Sequence, residues 1–344
     1  MTTAPRMTPE PRPTPEPSPA PEPSAASEPA AASEPVVASG PAATAGRRVT
    51  VDVPATSANL GPGFDSLGLA LTLSDEVTVE LGGDGVVIEV EGEGAEVADR
   101  GDRHLIVTTI RAALEAIDGL AGTGEAARLG RGVRLRCVNR IPHSRGLGSS
   151  SAAIVAGVTA ARALHPAGGA MDDAAALRLA ADIEGHPDNV APCLLGGLTI
   201  AWGDRAVRLD LDREVVAFVP ETRLATEQAR GLLPGTVPHA DAAANAGRAA
   251  LLVTALTHGL DEATLLAATE DRLHQEYRAP AMPESAALIR DLRERGVPAV
   301  VSGAGPTVLA FTSASRIDSN ACGVGNGWHV HPLRVAPAGA SVRV

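Results

Sequence analysis

The sequence predicts an α+β protein. Segments with the apolar pattern of strands mix with segments of helical periodicity, and the regular strand–helix–strand alternation of a doubly wound sheet is missing. The 344 residues, 44% of them hydrophobic and 20% charged, provide room for one large domain or two. We expect two, with residues 47–212 forming the first domain and residues 213–344 the second.

Residues 1–46 differ in composition from the rest of the chain. Pro, Ala and Ser dominate, and Glu-Pro recurs every six residues from Glu10 to Glu34. The tract contains little bulky apolar surface that could be buried, and it lacks the continuous apolar segment of a secretory signal. We expect a disordered tail without a catalytic role.

In the first domain, strands are predicted where apolar and polar residues alternate, and helices where apolar residues follow the helical period. Gly82-Gly-Asp-Gly85 is typical of a hairpin turn between the second and third strands, and Gly119 is typical of a helix stop. The predicted strands are 49–53, 76–81, 86–90, 133–138 and 198–202, and the predicted helices are 104–117, 152–164 and 172–183.

The second domain opens on an apolar, strand-like segment and continues with three helical patterns. A glycine turn, Gly303-Ala-Gly-Pro306, separates two short apolar strands. The predicted strands are 215–219, 298–302, 308–311 and 330–335, and the predicted helices are 240–258, 261–275 and 284–295. We expect the strand at 330–335 to be the last.

The composition argues against several function classes. A formal net charge of −12 argues against nucleic-acid binding, and aromatic residues, at 2% of the chain, leave few platforms for stacking bases. Apolar stretches are too short for a membrane span. Cys137, Cys193 and Cys322 lack the spacing of a zinc site and are expected to be reduced. We therefore expect a cytoplasmic protein without nucleic-acid or membrane partners, and a homodimer stays open.

A glycine- and serine-rich loop, Gly146-Leu-Gly-Ser-Ser-Ser-Ala152, lies between the strand at 133–138 and an apolar, Ala-rich helix. The first amides of a helix lack partners within it and its dipole adds positive charge, so a helix start favours phosphate. The chain contains no lysine, which excludes the usual Gly-Lys-Ser/Thr phosphate loop. A flexible loop with serine as a plain helix cap is the alternative, but the order strand, glycine loop, buried helix favours a phosphate site.

Three segments, residues 54–65, 142–152 and 302–307, resemble in their order the GHMP small-molecule kinases. The resemblance covers essentially everything after residue 46. Thr56-Ser-Ala-Asn-Leu-Gly-Pro-Gly-Phe-Asp65 and Glu184-Gly-His-Pro-Asp-Asn-Val-Ala-Pro192 are similar in particular to the members that act on homoserine. The resemblance implies a two-domain α+β GHMP kinase fold, in which a domain like domain 2 of ribosomal protein S5 precedes a ferredoxin-like domain.

The resemblance also implies a reaction. The γ-phosphoryl group of ATP would pass to the side-chain hydroxyl of L-homoserine and give O-phospho-L-homoserine, for threonine biosynthesis, with Mg²⁺ as the metal. Main-chain amides, a metal ion and a helix dipole are sufficient in principle, because phosphoryl transfer depends chiefly on positioning and charge neutralisation. The residues that match the ATP-binding segment are Pro142, Gly146, Leu147, Gly148, Ser149 and Ser150.

Glu184 and Ser150 match the family's metal site. The sequence does not decide between Ser149 and Ser150, and a solvated carboxylate at the end of a helix is the alternative for Glu184. Ser151 and Ala152 are expected to be helix residues only.

The implied substrate site draws on both domains. Asp65 would complement the ammonium group, Asn189 would contact the reacting hydroxyl, and Arg230 and Arg278 would grip the carboxylate, since a guanidinium binds carboxylate bidentately. Thr226 lies four residues before Arg230, hence on the same face of a helix. The implied substrate residues are Asn59, Asp65, His186, Asn189, Thr226, Arg230, Arg278, Gly303 and Gly305, of which Asn189 and Arg230 would be catalytic.

Each of these roles has a structural alternative. Asn59 and Asp65 both favour turns for local reasons, His186 fits equally well as a packing residue, and most arginines are solvated. Glu276 stands where proline is common in the family, which leaves the placement of Arg278 open. The general base stays unassigned.

Two other functions remain open from the sequence. One is another GHMP kinase, of the mevalonate or sugar type, which the arginine pair, Asn59 and Asp65 disfavour because mevalonate has no ammonium group. The other is a GHMP-fold sensor that binds its ligand without turnover, which the intact Ser149, Ser150 and Glu184 disfavour.

Overall fold

The computed structural model describes residues 47–95, 101–317, 325 and 327–343. The predicted tail at 1–46 and Cys322 lie outside the described residues. Within them the α+β class is confirmed. The strands are β1 (Arg48–Ala58), β2 (Leu67–Leu81), β3 (Gly85–Gly92), β4 (Gly132–Asn139), β5 (Leu198–Trp202), β6 (Arg205–Leu209), β7 (Glu214–Pro220), β8 (Ala299–Val301), β9 (Val308–Ala310), β10 (Trp328–Arg334) and β11 (Ser341–Arg343).

The helices lie mostly where the apolar periodicity predicts them. They are α1 (Leu105–Ala121), α2 (Ala126–Leu129), α3 (Ser149–Leu164), α4 (Asp173–Glu184), α5 (Pro187–Leu195), α6 (Thr226–Arg230), α7 (His239–Thr257), α8 (Glu262–Ala268), α9 (Gln275–Arg278) and α10 (Pro283–Glu294). No helix of the described residues has both the length and the apolar character needed to cross a bilayer.

The first sheet carries the glycine- and serine-rich loop at 146–152, which was predicted to bind phosphate and is called the phosphate loop below. In the described part of the chain it contains seven strands, in the order β11-β1-β2-β4-β3, with β5 beside β2 and β6 beside β5. The Ala-rich helix α3 packs on β1 and is buried along most of its length, as its apolar sequence predicts. Because β4 ends at Asn139 and α3 begins at Ser149, the loop between them lies at one end of the sheet.

The second sheet lies in the C-terminal half and has the order β10-β7-β9-β8, with all neighbours antiparallel. Numbered along the chain, its strands therefore run fourth, first, third, second, the order of a ferredoxin-like sheet. Val215, Ala217 and Val219 of β7 join the main core, whereas Val216 and Phe218 pack with α10 in a separate cluster. Both faces of β7 are buried, which explains why this strand is a continuous apolar run.

The predicted hairpin at 82–85 is wrong. β4 lies between β2 and β3, and β3 pairs with β4 in parallel. The Gly82 amide donates to the Gly132 carbonyl, and a Cβ on Gly132 would lie 2.3 Å from the Gly82 carbonyl oxygen. The glycines allow the chain to turn, but β3 then pairs with β4, which lies further along the chain, and not with β2. The residues of the turn contain no information about this pairing.

Two predicted helix ends are also wrong. Helix α1 runs through Gly119 to Ala121, and Gly122 closes it in the left-handed conformation by donating to the Asp118 carbonyl. The helix predicted over 261–275 ends at Ala268. Beyond it, the Asp271 carboxylate accepts the backbone amides of residues 273, 274 and 275, so a side chain takes the amides that a continued helix would have used.

The chain does not end with the strand predicted at 330–335. A further strand, β11, follows β10 and pairs with β1, with Val51 opposite Val342. The C-terminal segment therefore returns to the first sheet.

Candidate active site

The phosphate loop starts helix α3 in the way the sequence predicts. Gly148 precedes Ser149 in the left-handed conformation, with φ of 71°, and it has no side chain with which to cap the first amides of α3. Leu147 is buried and accepts a hydrogen bond from the Thr56 amide at 3.0 Å, which fixes the loop on β1. Amides at this helix start are therefore available to a phosphate group.

Glycine is required at two points of this loop. A Cβ on Gly148 would lie 1.9 Å from Thr56 Oγ1, and a Cβ on Gly146 would lie 2.2 Å from the Ser302 carbonyl oxygen. The Ser302 hydroxyl donates to the Gly146 carbonyl at 2.6 Å. The loop is thus in contact with both the first and the third of the three sequence segments.

Glu184, the last residue of α4, lies beside the start of α3. Its Oε1 accepts hydrogen bonds from the hydroxyls of Ser150, at 2.6 Å, and of Ser151, at 2.8 Å. Carboxylate and hydroxyl oxygens are the hard ligands that Mg²⁺ prefers, and Mg²⁺ commonly takes its other ligands from phosphates and water. The donor set therefore fits Mg²⁺, although the described residues hold no cluster of three or more His, Cys, Asp or Glu. The contact of Ser151 was missed from the sequence, which assigned it to the helix alone.

Arg230 and Asp65 form an ion pair between helix α6 and the loop that follows β1. The guanidinium donates two hydrogen bonds to the carboxylate, of 2.7 and 3.1 Å, and both side chains are about one-third exposed. The Asp65 carboxylate raises the pKa of Arg230. Both residues were predicted to bind substrate, Asp65 through its ammonium group and Arg230 through its carboxylate. In the structure each binds the other, which carries the same charge as the predicted substrate group.

Arg278 is buried, with 1% of its surface exposed. Its guanidinium donates to the His274 Nδ1 at 3.0 Å and, at 3.4 Å, to the carbonyls of Ala229 and Gly303, all of them neutral acceptors. Burial lowers its pKa. A buried cation with neutral partners is a strong site for an anion.

Asn59 stabilises a turn, which was the alternative to substrate binding that the sequence left open, and it also lines the candidate cavity. Its side-chain amide donates to the Gly303 carbonyl at 2.8 Å, and its oxygen accepts the Asp65 amide at 2.9 Å. Asn59 and Asp65 both have positive φ, of 69° and 53°. The asparagine thus connects the two glycine-containing loops that border the substrate side.

His186 and Asn189 lie at the start of α5. The His186 Nδ1 is 3.1 Å from the Asp188 carboxylate, an ion-pair contact without the alignment of a hydrogen bond, and this carboxylate raises the pKa of His186. The Asn189 oxygen accepts a hydrogen bond from the Thr56 hydroxyl at 2.8 Å. Thr56 was missed as a residue that holds Asn189, since only the fold brings β1 beside α5.

One cavity of about 200 Å³ collects twelve of the sixteen predicted site residues. Pro142, Leu147, Asp65 and Gly305 are not among its lining residues; Leu147 and Gly305 pack against the loops, and Asp65 reaches the cavity through Arg230. The lining residues are Asn59, Ser144, Gly146, Gly148, Ser149, Ser150, Glu184, His186, Asp188, Asn189, Thr226, Arg230, Arg278, Gly303 and Ala304.

A second cavity, of about 260 Å³, shares Ser144, Ser149 and Ser150 with the first. Apolar side chains of both sheet and helix line it together with Asn139 and His143. A lining of this kind suits a ligand with a flat ring that carries a few polar atoms. The sequence did not predict this cavity, because its walls come from β2, β3, β4 and α1, which only the fold brings together.

A larger cavity, of about 500 Å³, lies between the 269–279 segment and α10. Neither the phosphate loop nor the 303–305 turn lines it. It therefore lacks the phosphate-binding geometry of the candidate site.

Two family profiles match the chain. They are the GHMP kinases N terminal domain, over residues 105–197, and the GHMP kinases C terminal domain, over residues 254–323. The first match contains the phosphate loop together with Glu184 and Asn189, and the second contains Arg278 and the 303–305 turn.

Curated relatives are similar over most of the chain. A homoserine kinase of Streptomyces avermitilis is 55% identical over 301 residues, which are 86% of this chain and 95% of the relative. A homoserine kinase of Mycobacterium tuberculosis is 44% identical over 300 residues, covering 83% of this chain and 92% of the relative.

Solved structures agree. A homoserine kinase from Cytophaga hutchinsonii superimposes with a TM-score of 0.72 at 25% identity, covering 86% of this chain and 97% of the other. A putative homoserine kinase from Listeria monocytogenes has a TM-score of 0.66 at 32% identity, covering 86% and 99%. The superposition thus extends over nearly the full length of both neighbours.

Proposed function

The chain belongs to the GHMP kinase family, and within it to the homoserine kinases, and we propose that it phosphorylates L-homoserine with ATP in the 200 Å³ cavity lined by the phosphate loop and the two arginines. The product, O-phospho-L-homoserine, serves threonine biosynthesis. The observation that carries this assignment is the meeting, in one cavity, of a helix start suited to phosphates with two arginines suited to a carboxylate, one of them paired with Asp65.

ATP would lie across the two neighbouring cavities. Its phosphates would accept hydrogen bonds from the amides of the 146–150 loop, where the dipole of α3 adds to their stabilisation. Its nucleoside would occupy the second cavity, because the shared residues Ser149 and Ser150 connect the two spaces. Leu147 and Pro142 would shape the loop from behind.

Ser150 and Glu184 would hold Mg²⁺, which when bound neutralises part of the charge of the β- and γ-phosphates. Glu184→Gln is expected to raise the Mg²⁺ concentration needed for half-maximal rate. Asp182→Asn, an exposed carboxylate on the same helix, is the control and should leave that concentration unchanged. An equal response in both variants would contradict the assignment.

L-homoserine would bind with its charged end between the two domains. Arg278 and Arg230 would take the carboxylate, and Asp65 the ammonium group, each through charge-assisted hydrogen bonds. The hydroxyl would then lie beside Asn189, which Thr56 holds against the phosphate loop. Thr226, His186 and Gly303 would border the remaining space.

In this arrangement the protein's contribution to catalysis is chiefly positioning. Asn189 would orient the attacking hydroxyl toward the γ-phosphoryl group, and the helix start would stabilise the charge that the phosphoryl oxygens carry in the transition state. Arg230 would fix the other end of the amino acid, so that the hydroxyl cannot drift.

A coupled assay of ADP release tests the proposal. The enzyme is expected to release ADP with L-homoserine and to remain at its background rate with mevalonate or galactose. Stimulation by mevalonate or galactose alone would assign the cavity to another alcohol, and binding of homoserine without ADP release would favour a sensor.

We also propose that the protein works in the cytoplasm, where ATP is available and thiols stay reduced. Cys137 and Cys193 are free and buried, and burial raises the pKa of the Cys137 thiol to about 12. A homodimer stays a prediction, for which a light-scattering mass in solution is the decisive measurement.

A further inference from the structure

Phe64 lies at the meeting point of the charged groups on the substrate side. It precedes Asp65 in the loop between β1 and β2. Its ring centre is 5.2 Å from that of His274, with the two planes inclined by 28°. The guanidinium carbons of Arg278 and Arg230 lie 5.3 and 5.8 Å from the same ring centre. One aromatic ring therefore contacts both predicted carboxylate-binding cations.

His274 connects this ring to Arg278 by a second route. It is buried, and its Nε2 lies 2.8 Å from the Gly61 carbonyl, so this nitrogen must carry the proton. The other nitrogen, Nδ1, is then free to accept the hydrogen bond from Arg278. Burial lowers the pKa of His274, which favours the neutral ring that this bond requires.

Two guanidinium groups that converge on one small space repel each other. Burial is the main cause that lowers the pKa of Arg278, and the charge of Arg230 is the next. The face of an aromatic ring carries partial negative charge and attracts cations. A ring in contact with both arginines therefore reduces the cost of keeping them close in the cavity that both of them line.

We propose that Phe64 is a positioning residue for the substrate carboxylate: its ring, supported by His274, holds Arg230 and Arg278 together and so favours substrates that carry a carboxylate. The inference rests on the proposed function, since it concerns the grip on homoserine. It adds a residue that touches neither ATP nor the reacting hydroxyl.

The test compares Phe64→Leu with Phe64→Tyr, which keeps the ring. Phe311→Leu is the control, because Phe311 is a buried phenylalanine that does not line the cavity. Each variant is assayed with L-homoserine and with 3-aminopropan-1-ol, which equals homoserine without its carboxylate. Phe64→Leu should lower kcat/KM for homoserine about tenfold, from the strength of a partly desolvated cation–π contact.

The loss in Phe64→Leu should lie in the KM for homoserine, with kcat and the KM for ATP unchanged. With 3-aminopropan-1-ol, Phe64→Leu should match the wild type, and Phe64→Tyr should restore the homoserine KM. An equal fall with both substrates, or a tyrosine variant as poor as the leucine variant, would overturn the inference.

Thermal unfolding of each variant serves as the control for correct folding. Phe64→Met provides a second flexible apolar replacement should the leucine variant prove unstable. If the wild type itself does not phosphorylate homoserine, the proposed function fails first. An active wild type with an unaffected Phe64→Leu variant overturns the positioning role alone.

Discussion

Arg230 donates two hydrogen bonds to Asp65, and these bonds join the short helix α6 to the loop that follows β1. A carboxylate and a guanidinium held in this way complement the two charges of an amino acid, the carboxylate its ammonium group and the guanidinium its carboxylate. A zwitterionic ligand can replace both partners at once, whereas a ligand with a single charge leaves one partner of the pair without compensation. We therefore predict that the pair favours amino acids over ligands with a single charge.

Asp65→Asn is expected to reverse this selection in part. The KM for L-homoserine should rise roughly 10- to 100-fold, because a charge-assisted hydrogen bond contributes about 1.5–3 kcal/mol. In contrast, 4-hydroxybutyrate, which has no ammonium group, should become a better substrate, since Arg230 no longer has to leave a carboxylate. Steady-state kinetics with both compounds measures the two effects. A rise of KM for both compounds would argue that Asp65 only supports the loop.

Arg230→Ala should raise the KM for homoserine strongly and leave the KM for ATP nearly unchanged. The guanidinium lines the substrate end of the cavity, and its partner is Asp65 rather than the phosphate loop. Arg131→Ala, which removes an exposed arginine paired with Asp84, is the control and should change neither value. Equal damage to both KM values in the Arg230 variant would assign it a structural role.

Gly148→Ala should abolish turnover. The added methyl group would lie 1.9 Å from Thr56 Oγ1 and 3.2 Å from Asn189 Oδ1, and the positive φ of Gly148 is unfavourable for alanine. Gly247→Ala is the matched control, since this glycine lies within α7 with open space around it. The control should keep full activity and gain about 0.4–1 kcal/mol of stability. Full activity of the Gly148 variant would remove the phosphate-loop assignment.

The stability of the first domain should depend on pH through Asp118. A hydrogen bond from the Thr123 hydroxyl, followed by backbone amides of Ala126 and Glu125, lowers the pKa of this carboxyl to about 2. Because the folded-state pKa lies below the ordinary value, the ionised form stabilises the fold above about pH 4, and that contribution is lost as the pH falls toward about 2.

Asp118→Asn should therefore flatten the acid dependence. Urea midpoints of wild type and variant should differ most at about pH 6 and approach each other as the pH falls toward about 2. Parallel curves for the two proteins over that range would show that the carboxyl titrates with its ordinary pKa in the folded state.

Local signals in the sequence correctly predicted a glycine loop that leads into a buried helix. Whether amides are available at a helix start depends on the glycines before it and the apolar residues after it, and both are adjacent in the chain. The same holds for β5, whose bounds, Leu198–Trp202, agree with the prediction. The alternation of β7 between two cores also follows from its uninterrupted apolar run.

Contacts between distant segments could not be predicted in this way. Thr56 holds Asn189, Asn59 holds Gly303, and Phe64 contacts His274, yet each pair is separated by more than a hundred positions. The glycines at 82–85 correctly predicted a turn, but the prediction of a hairpin was wrong because β3 pairs with β4, which lies far along the chain. Nothing local distinguishes a solvated arginine from Arg278, which is buried.

The pairing of β11 with β1 affects how the protein is made. β1 leaves the ribosome long before β11, so the growing chain carries an open strand edge until β11 has been made. Such an edge is a template for pairing with other chains. Proteolytic trimming just before Ser341 would leave that edge of β1 uncovered and would expose the shortened chain to aggregation.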